Sequence, residues 1–267
     1  MNDRPGLLLL DLDGTVHEDG LPLPGAIEAL LRIRAAGIGL MFVTNTTSIP
    51  SGTVLERLAG MGFPVDSSRL MTPLTAARQT LGAMGLTRVR ALVREAALED
   101  LAGLTLLGPE DEGAQAVLVG DLGAGWSYQV MNRAFMDLMD GARLVSCQAN
   151  RYFRKGGRLV LDAGPFVAAL EYAASCSAVL VGKPSADLFL NAARAVLRDG
   201  LDASLKAGAV WMIGDDLEND VIAARRAGLR AMLVRSGKYR RDDEDRAQRH
   251  SDAVLDGVAS LPDWLGL

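Results

Sequence analysis

The stretch Leu7-Leu8-Leu9-Leu10-Asp11-Leu12-Asp13-Gly14-Thr15 sets two carboxylates, one residue apart, at the end of a four-leucine run. The leucines read as a short strand buried on both faces. Carboxylates ending such a strand are costly to desolvate unless something cationic neutralises them. The carboxyl ends of strands in an open α/β sheet are also where ligands bind. Asp11 and Asp13 therefore offer a nucleophile, a metal ligand, or both. Plain turn chemistry competes with that reading, because Asp-Gly is a common turn pair.

Three later stretches repeat the plan of an apolar run ending in polar groups. Ile38 to Val43 ends in Thr44-Asn45-Thr46-Thr47-Ser48, whose hydroxyl and amide groups suit a helix cap and a phosphate site equally well. Ser177 to Val181 ends in Gly182-Lys183-Pro184, and Val210 to Ile213 runs into Gly214-Asp215-Asp216-Leu217-Glu218-Asn219-Asp220. Parallel strands of a doubly wound sheet bring their carboxyl ends to one edge, so these groups should converge. Several carboxylates in one crevice repel one another unless a divalent cation sits among them. Hard oxygen donors select Mg²⁺, which takes one or two carboxylates together with a substrate phosphate. Lys183 supplies the opposite charge and Thr44 and Asn45 supply neutral donors. Acids, cation, lysine and hydroxyl donors together describe a phosphate site.

The elements that must position these groups alternate along the chain. Helices are expected over Ala26 to Ala36, closed by Gly37, and over Gly52 to Met61, Ala186 to Leu197 and Val221 to Ala227. Between about 72 and 180, Val89 to Val93, Ala116 to Val119, Arg143 to Cys147 and Arg158 to Leu161 read as strands. Gln129 to Met139 and Pro165 to Ala174 read as helices. The basic, aromatic segment from Gln148 to Gly157 reads as a solvated hairpin or as a loop facing an anionic substrate. Arg230 to Val234 forms a last strand, Arg240 to Arg249 a charged solvated stretch, and a short helix or loop closes at Trp264.

Composition excludes several classes. The 267 residues are 49% hydrophobic and 23% charged, ordinary for a globular α/β protein of one or two domains. A net charge of −5 gives no bulk attraction to nucleic acid or to an anionic membrane. No apolar run is long enough to span a bilayer, and the segment before Leu7 leaves no room for a signal peptide. Cys147 and Cys176 lack metal-ligand spacing and fit a reducing compartment, so the chain is expected in the cytoplasm. With only His17 and His250 present, catalysis built on histidine is disfavoured.

Asp11-Leu12-Asp13-Gly14-Thr15, Thr44-Asn45, Lys183 and Gly214-Asp215-Asp216-Leu217-Glu218-Asn219-Asp220 resemble, in order, the four motifs of the haloacid dehalogenase-like superfamily. The likeness spans nearly the whole chain. A closer likeness, to subfamily IIA, is carried by Phe42-Val43-Thr44-Asn45-Thr46-Thr47, by the segment Gly164 to Ala173 and by Val181-Gly182-Lys183-Pro184. The resemblance implies a doubly wound, mostly parallel Rossmann-like α/β core in which Asp11 attacks phosphorus to form an aspartyl-phosphate. It implies that Asp13 is the general acid and base, and that Asp11, the Asp13 backbone carbonyl and Asp215 hold Mg²⁺. Thr44, Asn45 and Lys183 would bind the phosphoryl oxygens. Asp216 and Asp220 would stand behind them, one near the ion and one orienting Lys183 or a metal-bound water.

Only 30 residues separate Asp13 from Thr44, whereas 137 separate Asn45 from Lys183. The longer interval holds a second domain of about 100 residues. In this superfamily an insert there resembles an α/β cap of the C2 type, so the expected division is 1–73 and 180–267 for the catalytic core and 74–179 for the cap. Asn150, Arg151 and Tyr152 are the candidate cap contacts to substrate. The expected activity is a Mg²⁺-dependent phosphatase, a hydrolase acting on a small phosphate monoester, phospho-amino acid or pyrophosphate, with homodimer pairing through the cap. Two alternatives stand beside it. A phosphotransferase would use the same intermediate with a second substrate replacing water. A non-catalytic phospholigand-binding protein would need neither Asp11 nor Asp13. A dinucleotide-binding oxidoreductase shares the sheet type, but no Gly-x-Gly-x-x-Gly follows the first strand.

Overall fold

The computed structural model describes residues 4–66, 68–155 and 158–267, with the side chains of Arg154 and Lys155 also outside the description. By its internal contacts the chain divides into two compact units. The first comprises the chain up to Thr44, Gly52–Met71 and Lys183–Leu267, and the second Asn45–Ser51 and Thr72–Gly182.

The leucine run forms strand Leu7–Leu10, every side chain buried, at the middle of a six-stranded sheet in the first unit. Across the sheet the order is Ala253–Leu255, Arg230–Val234, Val210–Gly214, Leu7–Leu10, Gly39–Val43 and Leu70–Met71, all pairs parallel. Such strands must be covered on both faces, which is why they are continuous apolar runs and not alternating ones. Leu9 lies between Met212 and Met41 in register. After Leu7–Leu10 the chain builds outward on one side through Gly39–Val43 and Leu70–Met71. It returns to the other side of Leu7–Leu10 with Val210–Gly214 and continues outward from there. The order thus reverses between Leu7–Leu10 and Val210–Gly214, and a doubly wound sheet opens a ligand crevice at that reversal. Asp11 and Asp215 follow directly from the two strands that flank it.

The second unit has its own parallel sheet, in the order Val179–Leu180, Arg143–Ser146, Ala116–Val119, Arg88–Leu92 and Thr105–Leu106. Helix Pro73–Ala83 starts at a reciprocal cap in which Thr72 and Thr75 bond each other's backbone, with Pro73 at the first turn. Ser127 caps helix Tyr128–Met139 through the Val130 N–H at 3.2 Å. That helix and Gly164–Ala174 bury Ala134, Leu138, Val167 and Leu170 against Val117, Val119 and Leu144 of the sheet. The Gln148 to Gly157 segment contributes Tyr152–Lys155 to an antiparallel ribbon with Arg158–Leu161, so of the two readings of this stretch the hairpin is the one formed. Gly156 and Gly157 lie outside the described residues.

The structure corrects the charged stretch near the end. Glu244–His250 is a helix, which rests on buried Ala247 and has no longer apolar stripe to reveal it. Helix Leu261–Trp264 closes the chain, with the Trp264 ring edge-on to Trp211 at 5.6 Å. Cys147 is buried, Cys176 half-buried, and both are free thiols. No helix among the described residues is long and apolar enough to cross a membrane.

Leu9 is fully buried between two neighbouring strands, so Leu9→Ala removes three heavy atoms' worth of packing that the sheet cannot close over. Urea denaturation should show a loss of about 2–5 kcal/mol; an unchanged midpoint would contradict this account of the core.

Candidate active site

Asp11 continues the first strand's hydrogen bonding, its N–H donating to the Ile213 carbonyl at 3.0 Å, which fixes its backbone at the sheet edge. Its carboxylate is buried and accepts from Lys183 Nζ at 2.5 Å. The same ammonium donates to Asp220 Oδ1 at 2.7 Å, and Lys183 is itself only 3% exposed. Asp215 completes the group: one oxygen each from Asp11, Asp215 and Asp220 lie within 4.8 Å of one another, all three residues buried. Asp220 lies in the helical turn Leu217–Ile222, started by Asp216. The Asp220 N–H donates to the Asp216 carbonyl at 2.9 Å, and Asp220 Oδ2 accepts from the Asp216 N–H at 3.1 Å. Gly214 is required beneath it, since a Cβ there would lie 2.3 Å from Asp220 Oδ2.

The electrostatics follow from this crowding. Burial pushes the Asp215 carboxyl up to about 8, with the charges of Asp11 and Asp220 adding to the effect. Burial likewise raises Asp220, again with Asp11 adding, while Lys183 opposes. Burial alone would depress the Lys183 ammonium, yet Asp11 and Asp220 outweigh it and hold the group above its ordinary value. Three carboxylates against one ammonium leave a formal charge of −2 when all are ionised. Asp215 Oδ1 is buried and has no hydrogen-bond partner. A divalent cation satisfies both conditions, and an all-oxygen donor set suits Mg²⁺.

Asp13 differs from its neighbour. Its side chain is 68% exposed and faces His17 Nδ1 at 3.5 Å. Protein around the carboxyl still raises it above the usual carboxylate range, the Asp11 charge adding and His17 opposing. The turn from Leu12 to His17 is closed by Gly14 N–H to the His17 carbonyl at 2.8 Å and Thr15 N–H to the Leu12 carbonyl at 3.1 Å. Thr44 is buried at the end of Gly39–Val43, its N–H on the Met71 carbonyl at 3.1 Å. Asp216 turns into its own loop, accepting from the Glu218 and Asn219 N–H groups at 3.1 and 3.0 Å, with Lys238 Nζ at 3.3 Å. These bonds offset its burial and hold its carboxyl below the usual range.

The first unit therefore brings Asp11, Lys183, Asp215 and Asp220 together. Asp13 follows two residues beyond Asp11, Asp216 one beyond Asp215, and Thr44 stands at the end of the neighbouring strand Gly39–Val43. Asn45 belongs to the second unit, where its Oδ1 would lie 3.0 Å from a Cβ on Gly182. Asn150 and Arg151 lead into the ribbon there. Their carbonyls accept from Gly164 at 3.0 Å and Asp162 at 3.2 Å, and the Tyr152 side chain is exposed. Sequence reasoning missed Lys238. Its backbone N–H donates to Asp215 Oδ2 at 2.6 Å, and the only available signal was a Gly-Lys pair shortly after a parallel strand.

A doubly wound α/β protein with an acid and lysine cluster at its sheet reversal is what the coordinates define. The family model described as haloacid dehalogenase-like hydrolase matches residues 8–106, and that described as HAD-hydrolase-like matches 180–261. Haloacid dehalogenase-like hydrolase domain-containing protein 2 of Bos taurus is 40% identical over 239 residues, covering 90% of this chain and 87% of that protein. Phospholysine phosphohistidine inorganic pyrophosphate phosphatase of Homo sapiens is 32% identical over 264 residues, covering 97% and 93%. Among solved structures, 4-nitrophenylphosphatase from Thermotoga maritima superposes with a TM-score of 0.84 at 23% identity, covering 98% of this chain and 97% of the other. NagD from E. coli K-12 gives 0.79 at 25% identity, covering 96% and 98%. The chain belongs to the haloacid dehalogenase-like hydrolase family.

Lys183 is the ammonium that bonds two of the three buried acids. Lys183→Met should therefore cost about 3–5 kcal/mol at neutral pH in chelator, read by urea denaturation. A stability equal to wild type would mean that the acids are protonated and the lysine is not needed to hold them.

Proposed function

We propose that the protein is a Mg²⁺-dependent phosphatase that hydrolyses a small phosphorylated metabolite through an aspartyl-phosphate. The observation that carries this reading is the cluster itself: a carboxylate fixed by a buried lysine beside two more buried carboxylates, one with an unpartnered oxygen. Binding alone would not need a carboxylate held in that way. The family and the phosphatases among its similar proteins support the reaction class.

In this mechanism Asp11, fixed by Lys183, attacks the phosphorus of the substrate, and the bond to the leaving oxygen breaks as the aspartyl-phosphate forms. Asp13 donates its proton to that oxygen, and its raised carboxyl favours the protonated form it needs at the start. The same carboxylate then takes a proton from the water that hydrolyses the intermediate, restoring Asp11. Lys183 and Thr44, with Asn45, hold the transferring oxygens as their charge builds. Asp11, Asp215 and the Asp13 carbonyl are the proposed Mg²⁺ ligands, with Asp220 behind them steering Lys183. The bound ion would neutralise the phosphoryl charge during transfer.

The first unit is the proposed catalytic core and the second the proposed cap, with Asn150, Arg151 and Tyr152 as its contacts to substrate. The substrate class is a phosphate monoester, phospho-amino acid or pyrophosphate; the human relative's name includes phospholysine, phosphohistidine and inorganic pyrophosphate. Homodimer pairing through the cap belongs to the same proposal, supported by the exposed Tyr152, Leu159 and Leu161 of the ribbon. Two free cysteines suit the reducing cytoplasm.

Phosphate release from p-nitrophenyl phosphate and from inorganic pyrophosphate should require Mg²⁺ and stop in EDTA. Asp11→Asn should lower kcat by roughly three orders of magnitude or more. Turnover surviving in that variant, with contamination excluded, would overturn the nucleophile assignment. Independently of turnover, Mg²⁺ at about a hundredfold excess over its Kd should add about 2.7 kcal/mol of stability. The gain, read as a rise in melting temperature, should be absent in Asp215→Asn.

A further inference from the structure

The contact that holds Asp215 comes from a loop that contributes no side chain to the acidic cluster. Lys238 N–H reaches Asp215 Oδ2 at 2.6 Å, leaving Oδ1 as the oxygen without a partner. So close an approach requires two glycines. A Cβ on Gly237 would lie 2.0 Å from Asp215 Oδ2 and 2.6 Å from the Gly14 Cα, and one on Gly14 would lie 2.3 Å from the same oxygen. Both glycines have positive φ, 83° at Gly14 and 56° at Gly237. The loop's position therefore decides which Asp215 oxygen is left free.

One carboxylate fixes that loop from both sides. Arg235, two residues before Gly237, donates to Glu244 through Nη2 at 2.7 Å and Nε at 3.2 Å. Tyr239, two residues after it, donates its hydroxyl to Glu244 Oε2 at 2.5 Å. Gln248 Nε2 adds a weaker bond at 3.3 Å, and Arg235 is braced on its far side by Asp256 at 2.8 Å. Hydrogen bonds from Arg235 and then Tyr239 bring the Glu244 carboxyl down to about 2, so it stays ionised throughout the working range. Ion pairs this close to solvent contribute little to global stability. A bidentate arginine and a tyrosine from the two ends of one five-residue loop, meeting on one acid, point instead to a local task.

We propose that Glu244 is a positioning residue for the metal centre: by clasping Arg235 and Tyr239 it keeps the Lys238 N–H on Asp215 Oδ2 and aims Oδ1 at the cation. The proposal rests on the reading of Asp215 as a metal ligand. The Lys238 N–H is the direct partner of the ligand, and partners of that kind typically set metal affinity by factors of ten or more. Glu244 acts through it, by way of Arg235 and Tyr239.

Mn²⁺ serves as the probe, titrated calorimetrically into the full-length protein and followed in parallel by the cation-dependent rise in melting temperature. Glu244→Ala should weaken Mn²⁺ binding roughly tenfold. Tyr239→Phe, which keeps the arginine pair, should weaken it by less. Asp256→Ala, which leaves the clasp closed, should bind as wild type does. In turnover the Mg²⁺ requirement of Glu244→Ala should move upward, while KM for p-nitrophenyl phosphate at saturating Mg²⁺ stays put. A purely structural role would lower the melting temperature of the metal-free protein and leave Mn²⁺ affinity unchanged; that result in Glu244→Ala overturns the proposal. If Glu244→Ala does not fold, wild-type affinity in Tyr239→Phe overturns it. A wild-type protein that binds no Mn²⁺ would overturn the metal reading first and the clasp with it, so the two failures are distinguishable.

Discussion

Three buried carboxylates with one buried ammonium among them are the constraint on which the rest of the first unit depends. Asp11 and Asp220 share Lys183, and Asp215 receives none of it. Buried charge of this kind is stable only where every partner is fixed, because breaking one pair strands the others in a low-dielectric interior. The surrounding backbone is correspondingly exact about space. Gly14, Gly214 and Gly237 each stand where a single Cβ would meet a carboxylate oxygen of the cluster. The acids thus restrict residue choice in three separate segments that carry no charge themselves.

The sheet supplies part of the convergence between residues far apart in sequence. Lys183 lies 172 residues from Asp11 and 37 from Asp220. Strand order accounts for Asp11 and Asp215, since Leu7–Leu10 pairs with Val210–Gly214 in parallel and both strands end at the same edge. It does not account for Lys183, because the expected strand before it, Val179–Leu180, pairs with Arg143–Ser146 in the sheet of the second unit. Asp220 lies in the helical turn Leu217–Ile222, close to Asp215.

The sequence disclosed those parts of this design that are local. Four leucines before Asp11, and Val210 to Ile213 before Asp215, announce a buried strand and its charged end within a few residues. The same pattern before Lys183 misleads, since Val179–Leu180 is a half-buried strand of the second unit's sheet. Asp220 was expected in the converging group with Asp216, but which of the two stands beside Lys183 was not legible. The structure puts Asp220 there, at 2.7 Å, and turns Asp216 into its own loop. The Lys238 contact left only the Gly-Lys pair as a sign: the donor is a backbone N–H, which every residue but proline has. Edge strands Leu70–Met71, Thr105–Leu106 and Ala253–Leu255 are too short to carry a period, and tertiary pairing makes them strands. Thr44 and Asn45, adjacent in the chain and read as one motif, fall into different units, because contact density and not sequence neighbourhood sets that seam.

Asp11 and Asp13 show how one short motif can hold two roles apart. They are the same residue type two positions apart, and strand geometry alone would point both to one side. The strand ends at Leu10, and the turn closed by Gly14 and Thr15 separates their surroundings. Asp11 is left buried and locked to Lys183, whereas Asp13 is 68% exposed with His17 Nδ1 at 3.5 Å. A carboxylate that must attack needs to be ionised and aimed. One that must pass a proton to a leaving oxygen needs to be reachable and able to hold that proton. Differences in environment, not in residue type, divide such labour between paired acids. On the proposed mechanism, the turn from Leu12 to His17 supplies that difference.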